Sequence, residues 1–456
     1  MLDDDRKLGK EFHFDRHTSD YRHHFEEITA ELQGKCPIAW TDTYDGHWVA
    51  SGHEEVFELA RRADLLSSDH DIHNERGGPR YQGITIPSSA QFRAVFQEMD
   101  PPDQRYYRQT LNPYLSPAAV ARWAPVAAEI TRAALDDKIE SGQIDFVDDL
   151  ANIVPAVLTL AMLGLPLKDW VIYCEPAHAG VYTKPDSPDM PRVREMTMAT
   201  HLRLFEAVRE ARINRRPGLI DALVNATING QKPSDEDLAS VGSLLIGGGF
   251  DTTTALTAHT LEYLSEHPDD RERLSRERET LLDSATEEFL RYFTPAPGIA
   301  RTFKADGEVL ETDFREGDRL WLSWAMANRD PEVFPEPNTV DLSRTNNRHS
   351  SFGLGIHRCI GSNVARMTFK QMLIAVLDRM PDFVCDSSGA VHYDTIGVIN
   401  GMKHLPASFT PSPRLGAGLD ETLEVLQKVC DEQRLAEPIT VNARAAKVND
   451  SNGDRR

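Results

Sequence analysis

The chain has 456 residues, 40% hydrophobic and 27% charged, with 72 acidic against 50 basic side chains and a net charge of −22. This is enough apolar material for a substantial core, and the acidic balance argues against a nucleic-acid-binding role. Five cysteines (Cys36, Cys174, Cys359, Cys385 and Cys430) are dispersed without a C-x-x-C pair, which predicts reduced thiols in a cytoplasm and no disulfide framework. The opening MLDDDRKLGK lacks the apolar run of a signal peptide or membrane anchor. The most apolar stretch, 153–167, is interrupted by Pro155, Thr159 and Gly164 and is too short to span a bilayer.

In chain order, residues 1–39 are polar, and His13, His17, His23 and His24 read as solvated surface. Aromatic and β-branched residues around Gly46 predict a short strand pair over 40–49. Residues 54–63 follow as a helix with Val56, Phe57 and Leu59 inward. Glycines and prolines over 67–89 predict a long irregular loop, of the kind that serves as a lid over a substrate. Asp100-Pro101-Pro102 starts a helix on which Gln104 and Arg108 stand four apart and can address one partner; the plainer reading is an exposed helix face. Helices are expected at 117–137 and 149–163, the second nearly all apolar and therefore central. Pro185, Pro188 and Pro191 then split two helical stretches.

The longest helical pattern, 234–267, opens with the capping sequence SDED. Its middle reads Gly247-Gly248-Gly249-Phe250-Asp251-Thr252-Thr253-Thr254, and each interior glycine costs about 1 kcal/mol against alanine. Two readings fit: one helix ends at Gly247 and Asp251 caps the next, or one helix is thinned so that a planar cofactor and O2 can lie against it. In the second, an acid beside a hydroxyl can relay protons into an apolar pocket. Glu288 and Arg291 form an i,i+3 pair, which alone suggests a solvated helix face. Short strands are expected at 299–302 and 308–322, with turns at Gly307 and Gly317.

Ser350–Phe369 is the most informative stretch: Gly353, Gly355 and Gly361 surround Cys359, and an apolar helical pattern follows at once. Such glycines mark close backbone approach or positive φ, and a helix N-terminus favours a nearby thiolate. A single cysteine does not supply a four-cysteine cluster, but it suffices for a metal that brings its own equatorial ligands. The plainer reading is a buried small hydrophobe. Residues 419–434 predict an amphipathic helix with Leu423, Leu426 and Val429 inward, followed by a polar, disordered end.

Phe352-Gly353-x-Gly355-x-His357-x-Cys359-x-Gly361 resembles the haem-binding loop of the cytochrome P450 family at every position. Gly248-Gly249-Phe250-Asp251-Thr252 resembles that family's oxygen-activation motif, and Glu288-x-x-Arg291 its E-x-x-R pair, with Arg344 in the place of the third member. The resemblance covers roughly 40–413. It implies that Cys359 is the proximal thiolate ligand and that His357, Arg108 and Arg301 hold the haem propionates. Gln104 stands where the family usually has a histidine and can donate a hydrogen bond but no charge. Phe352 packs beside the sulfur, Gly353 shapes the loop, Gly361 admits the following helix close to the porphyrin, and Gly248 and Gly249 admit the macrocycle from the other side. Thr252 hydrogen-bonds the dioxygen species and Asp251 helps deliver its protons, while Glu288, Arg291 and Arg344 form a buried structural network. Ile246, Phe250, Pro297, Ile299 and Ala300 line an apolar substrate pocket.

The expected architecture is therefore a mainly α fold with a small β-rich region, the cytochrome P450 fold, divided as a polar segment 1–39, a haem-thiolate domain 40–413 and an extension 414–456. The implied activity is a cytoplasmic haem b monooxygenase inserting one oxygen atom of O2 into a sterol, terpenoid, fatty acid or aromatic compound. The alternatives are a peroxide-driven peroxygenase and a non-enzymatic haem sensor. No flavin or iron–sulfur module is fused, so electrons are expected from a separate ferredoxin and ferredoxin reductase. Arg105, Arg358, Arg366 and Lys370 form a basic patch suited to an acidic ferredoxin.

Overall fold

The computed structural model describes residues 5–69, 83–87 and 93–433, so most of the loop proposed as a lid and the end beyond 433 lie outside the described residues. The nine principal helices are α1 (Asp103–Leu115), α2 (Ala124–Asp136), α3 (Ile153–Leu163), α4 (Trp170–Tyr182), α5 (Met190–Ile213), α6 (Asp235–Glu266), α7 (Arg278–Phe293), α8 (Ser362–Arg379) and α9 (Leu419–Gln433). The seven strands used below are β1 (Ile38–Thr41), β2 (His47–Ala50), β3 (Leu66–Ser67), β4 (Ile299–Phe303), β5 (Arg319–Leu322), β6 (Val391–His392) and β7 (Met402–His404). The mainly α expectation with a small β region holds.

The strand pair predicted around Gly46 is the β1–β2 hairpin, whose turn places Tyr44, Asp45 and Gly46 at positive φ. β2 runs parallel to β5, β5 antiparallel to β4, and β4 antiparallel to β3, giving a five-stranded sheet ordered β1-β2-β5-β4-β3. Two boundaries differ from the sequence reading. The stretch 117–137 divides into Pro117–Ala121 and α2, and 149–163 into a π-helical turn, Val147–Ala151, and α3. Gly307 lies within a short strand; the tight turn after it is made by Leu310 and Glu311, both at positive φ.

α6 is continuous across its glycines, which decides between the two readings of that stretch. Ser234 caps it, its hydroxyl accepting from the Asp237 N–H at 3.0 Å. Tertiary contact overrides the propensity cost: α6 packs against α3, α4, α5, α7 and α8, and a Cβ on Gly249 would meet Thr159 Oγ1 of α3 at 2.7 Å. Gly249 thus permits the α3–α6 crossing, whereas nothing lies within 4 Å of a Cβ on Gly248.

The main core gathers α2, α3, the buried face of α6 and the inward residues Phe369, Met372, Leu373 and Val376 of α8. α9 belongs to the same core through Leu419, Leu423, Leu426 and Cys430, and Gln427 Oε1 accepts from the Leu167 N–H at 2.9 Å. The start of the C-terminal extension therefore docks on the body. No described helix is long and apolar enough to cross a membrane.

Candidate active site

A cavity of about 960 Å³ lies between α6 on one side and the Cys359 loop on the other. Cys359 borders it from the loop, and Thr252, Gly248, Gly249 and Ile246 border it from α6. Helix periodicity explains which neighbours do not: at about 100° per residue, Phe250 and Asp251 turn away from the face that carries Thr252. Phe250 is buried in the core and borders no part of the cavity, which corrects the expectation that it lines a substrate pocket. Strand alternation produces a second correction. Ile299 and Arg301 of β4 border the cavity, whereas Ala300, between them on the strand, does not and packs in the core with Val49 and Met326. Pro297 is buried off the cavity; Pro295, Ala296 and Gly298 border it instead.

The Cys359 loop is held by its backbone. The Cys359 N–H donates to Phe352 O at 2.7 Å, and the Gly353 N–H to Ser350 O at 2.7 Å. Gly353 and Gly355 take φ of +66° and +67°, and a Cβ on Gly355 would stand 2.6 Å from Ala60 O. Gly361 has ordinary φ and precedes α8, where a Cβ would lie 3.9 Å from the cysteine sulfur. Although Cys359 counts as exposed, its surface faces the cavity. Burial raises its pKa, opposed by the Gly361 N–H and by Arg358, Arg108 and Arg366. The helix terminus alone therefore does not make this a free thiolate; coordination to a metal, which deprotonates a thiol outright, would.

On one flank of the cavity stand Arg108, Arg301 and His357. Burial, then the charges of Arg301 and Arg108, push the His357 imidazole down to about 2. Arg301 is buried, which lowers its pKa to about 10, and its guanidinium donates to Ala300 O at 2.7 Å. Neither Arg108 nor Arg301 forms an ion pair within 4 Å of an acid among the described residues. Two guanidiniums and a neutral imidazole directed at one wall make a receptor for carboxylates supplied from outside the chain. Gln104 is not part of it: its buried amide donates to Ile356 O at 2.7 Å and braces the loop from beneath.

The E-x-x-R pair is a buried network and not a surface pair. Arg291 and Glu288, both 0% exposed, join through Nε–Oε2 at 2.9 Å and Nη2–Oε1 at 2.8 Å. Arg344 Nε donates to both Glu288 oxygens at 3.1 and 3.0 Å, with Asn347 Nδ2 and the Asp341 N–H completing the shell. Asn328, to which sequence reasoning assigned no role, links this network to the cysteine loop. Its carbonyl accepts from Arg291 Nη1 at 2.9 Å, its Oδ1 from the Ser350 N–H at 2.7 Å, and its Nδ2 donates to Ser351 Oγ at 2.8 Å.

Thr252 Oγ1 donates to Gly248 O at 3.0 Å, leaving its lone pairs toward the cavity. Asp251 is 1% exposed and does not border the cavity; its Oδ1 accepts from Tyr393 Oη at 2.8 Å and is bonded by His178 Nδ1 of α4. Burial opposes a charge on His178, but the Asp251 carboxylate and Cys174 outweigh it and raise its pKa to about 10. Asp251 Oδ2 and His178 Nε2 are buried without partners among the described residues. Sequence reasoning missed His178 and Tyr393, since neither sits in a motif and both reach Asp251 only through the packing of α4 and the β6 end on α6.

The basic patch is smaller than its sequence suggests. Arg366 forms a two-pronged pair with Glu287 at 2.5 and 2.6 Å, and Lys370 pairs with Asp283, both acids on α7. Arg105 and Arg358 remain exposed.

Residues 168–381 match the cytochrome P450 family. Over 401 residues the chain is 30% identical to linalool 8-monooxygenase of Pseudomonas putida, covering 84% of this chain and 95% of that protein. It is 28% identical to a steroid C26-monooxygenase of Mycolicibacterium smegmatis, covering 84% and 90%. The crystal structure of CYP109E1 from Bacillus megaterium in complex with testosterone superposes with a TM-score of 0.76 at 25% identity, covering 86% of this chain and all of that one. The chain belongs to the cytochrome P450 family and is a haem-dependent monooxygenase. The residues present fit that cofactor: a lone thiol on a backbone-shaped loop, a cationic wall without ion-paired acids among the described residues, and a glycine face on α6 open at Gly248.

Proposed function

We propose that the protein inserts one oxygen atom of O2 into an aliphatic carbon of a hydrophobic terpenoid, sterol or branched lipid, using haem b and electrons from a separate ferredoxin and its reductase. The observation that carries this reading is that Cys359 and Thr252 both line one largely apolar cavity. At about 960 Å³ it lies at the upper end of ligand pockets, roughly 300–1,000 Å³, which suits a cofactor together with a small molecule. Relatives are named for linalool, for C26 of a steroid and for the omega position of a methyl-branched lipid, all of them hydrophobic substrates.

Cys359 would hold the haem iron from the loop side, and Arg108, Arg301 and His357 its propionates. A thiolate-ligated haem supplies O2 binding and the electron donation that favours O–O cleavage. The chain's own part is then positional and protonic. Ile246 and Ile299 exclude water beside the reacting carbon, the Thr252 hydroxyl offers a hydrogen bond at the α6 wall, and Asp251 holds a proton source one residue behind it. Glu288, Arg291 and Arg344 would act on folding and haem retention. Arg105 and Arg358, unpaired with acids among the described residues, are the better candidates for meeting an acidic ferredoxin.

An absorption titration of the ferric protein with linalool, a cholestane sterol and a methyl-branched fatty acid tests the substrate class. A low-to-high-spin shift by at least one is expected, with product formed under ferredoxin, reductase and O2. Product with hydrogen peroxide alone, and none with the reductase system, overturns the O2-dependent reading. Cys359→Ser is expected to abolish the thiolate-haem spectrum.

A further inference from the structure

A second group of ligating side chains lies on α6 beyond the active site. His259 stands eight residues after Asp251, about 12 Å along the helix axis. His259 and Glu262 share one face of α6, and His392 reaches them from the end of β6. His259 Nδ1 lies 3.7 Å from Glu262 Oε2, and His392 Nε2 lies 2.9 Å from Glu262 Oε1. One ligand atom from each residue falls within 4.8 Å of the other two.

Two ligands of a tetrahedral ion, each at about 2.0–2.1 Å, stand about 3.4 Å apart. The 3.7 Å contact is too long for a hydrogen bond but close to that edge. His259 is 5% exposed and its Nε2 has no partner, so among the described residues neither nitrogen of this buried ring is bonded at normal distance. Stacking on Phe293, with centroids 5.4 Å apart, holds the ring in place.

One group opposes an ion. Arg22 Nη2 lies 2.5 Å from His392 Nδ1, and its Nη1 donates to Tyr393 O at 3.1 Å. Binding at Nε2 places the His392 ring proton on Nδ1 and turns Arg22 away from it; Tyr393 O and Asp394 remain as its neighbours.

We propose that His259, Glu262 and His392 bind one divalent ion of the zinc class, with the fourth position open to water at the half-buried side of Glu262 and His392. The ion ties β6 to α6 beside Tyr393, the residue whose hydroxyl reaches Asp251. The group Asp145, Asp148 and His404 also has metal-ligand spacing, but its members are half-buried to exposed, and it serves as the internal comparison.

The test uses untagged holoprotein, stripped with EDTA and dialysed against micromolar Zn²⁺, with zinc and haem quantified by elemental analysis. One zinc per haem is expected, with Glu262→Gln and His392→Gln each weakening retention at least tenfold and His404→Ala leaving it unchanged. No stoichiometric zinc in the wild type, or retention lost only in His404→Ala, overturns the site. If the Glu262 and His392 variants lose haem, the wild-type zinc absorption edge decides: two imidazoles with oxygen ligands support the assignment, and sulfur ligation or an all-oxygen shell refutes it.

Discussion

Arg291→Ala and Arg344→Ala remove one arginine each from the same carboxylate, yet the structure makes them very unequal. Arg291 is wholly buried, pairs doubly with Glu288, and donates to the carbonyls of Asn328, Pro337 and Thr339 at 2.9, 2.8 and 3.0 Å. Removing one partner of a buried ion pair costs about 3–5 kcal/mol. Each buried carbonyl left unpaired adds about 1–3 kcal/mol; Thr339 O retains Arg344 at 3.3 Å, so Asn328 and Pro337 carry this penalty. The sum, about 5–11 kcal/mol, is comparable to the whole stability of a typical domain, about 5–15 kcal/mol. Arg344→Ala leaves the buried pair intact and removes charge-assisted bonds worth about 1.5–3 kcal/mol. Arg291→Ala should therefore give little or no soluble holoprotein. Arg344→Ala should fold, with a melting temperature lower by several degrees and a near-normal haem-to-protein absorbance ratio. Equal losses in the two variants, or an Arg291→Ala protein melting within a few degrees of wild type, would refute this reasoning.

Three further outcomes follow from the same geometry. Thr252→Ala should leave haem content unchanged while product per O2 consumed falls and peroxide rises, read by oxygen electrode against product yield. His178→Phe strips Asp251 of its ring partner and should lower coupling and shift the pH profile of product formation; adding Asp251→Asn should bring little further loss, because the two act through one pair. Glu287 is held at about 2 because its bonds to Arg366 and His349 outweigh burial, so its folded pKa lies below its unfolded value of about 4.3. Its stabilisation is thus present above pH 4.3 and lost as pH falls toward 2, and a Glu287→Gln protein should lose less stability than wild type over that window in acid denaturation.

Much of the site was legible in the sequence because its constraints are local. The loop around Cys359 needs glycine where φ is positive or where helix α8 starts, and those glycines sit at fixed offsets from the cysteine. Arg301 and Ile299 follow from strand alternation once β4 is placed, and the same alternation, applied strictly, would have excluded Ala300. Phe250 could likewise have been excluded by helical periodicity around Thr252. What could not be read were partners brought together only by tertiary packing. Asn328 joins a buried ion pair to the cysteine loop across long sequence separations, and Gln104 is spent on Ile356 O. Arg366 and Lys370 look like a free basic patch until α7 supplies Glu287 and Asp283.

The placement of Asp251 bears most on mechanism. A carboxylate that faced the cavity could exchange protons with any water there; this one is turned about 100° from Thr252 and bonded to residues from two other elements. Among the described residues its second oxygen and His178 Nε2 both lack partners, a costly arrangement for a buried pair that other rotamers or an entering water would relieve. In the proposed relay, delivery of a proton to the cavity would require the Asp251 side chain to leave His178 or Tyr393, and the firmness of that hold would set how readily it does so. α4 also borders the cavity, through Tyr173, Pro176, Ala177, Gly180 and Val181, so a substrate that displaces this helix acts on His178 directly. The proposed relay would thereby couple occupancy of the pocket to availability of the proton through one imidazole. Oxygen consumption measured with and without bound substrate should consequently differ far less in His178→Phe than in the wild type, and a wild-type-sized difference in that variant would exclude the coupling.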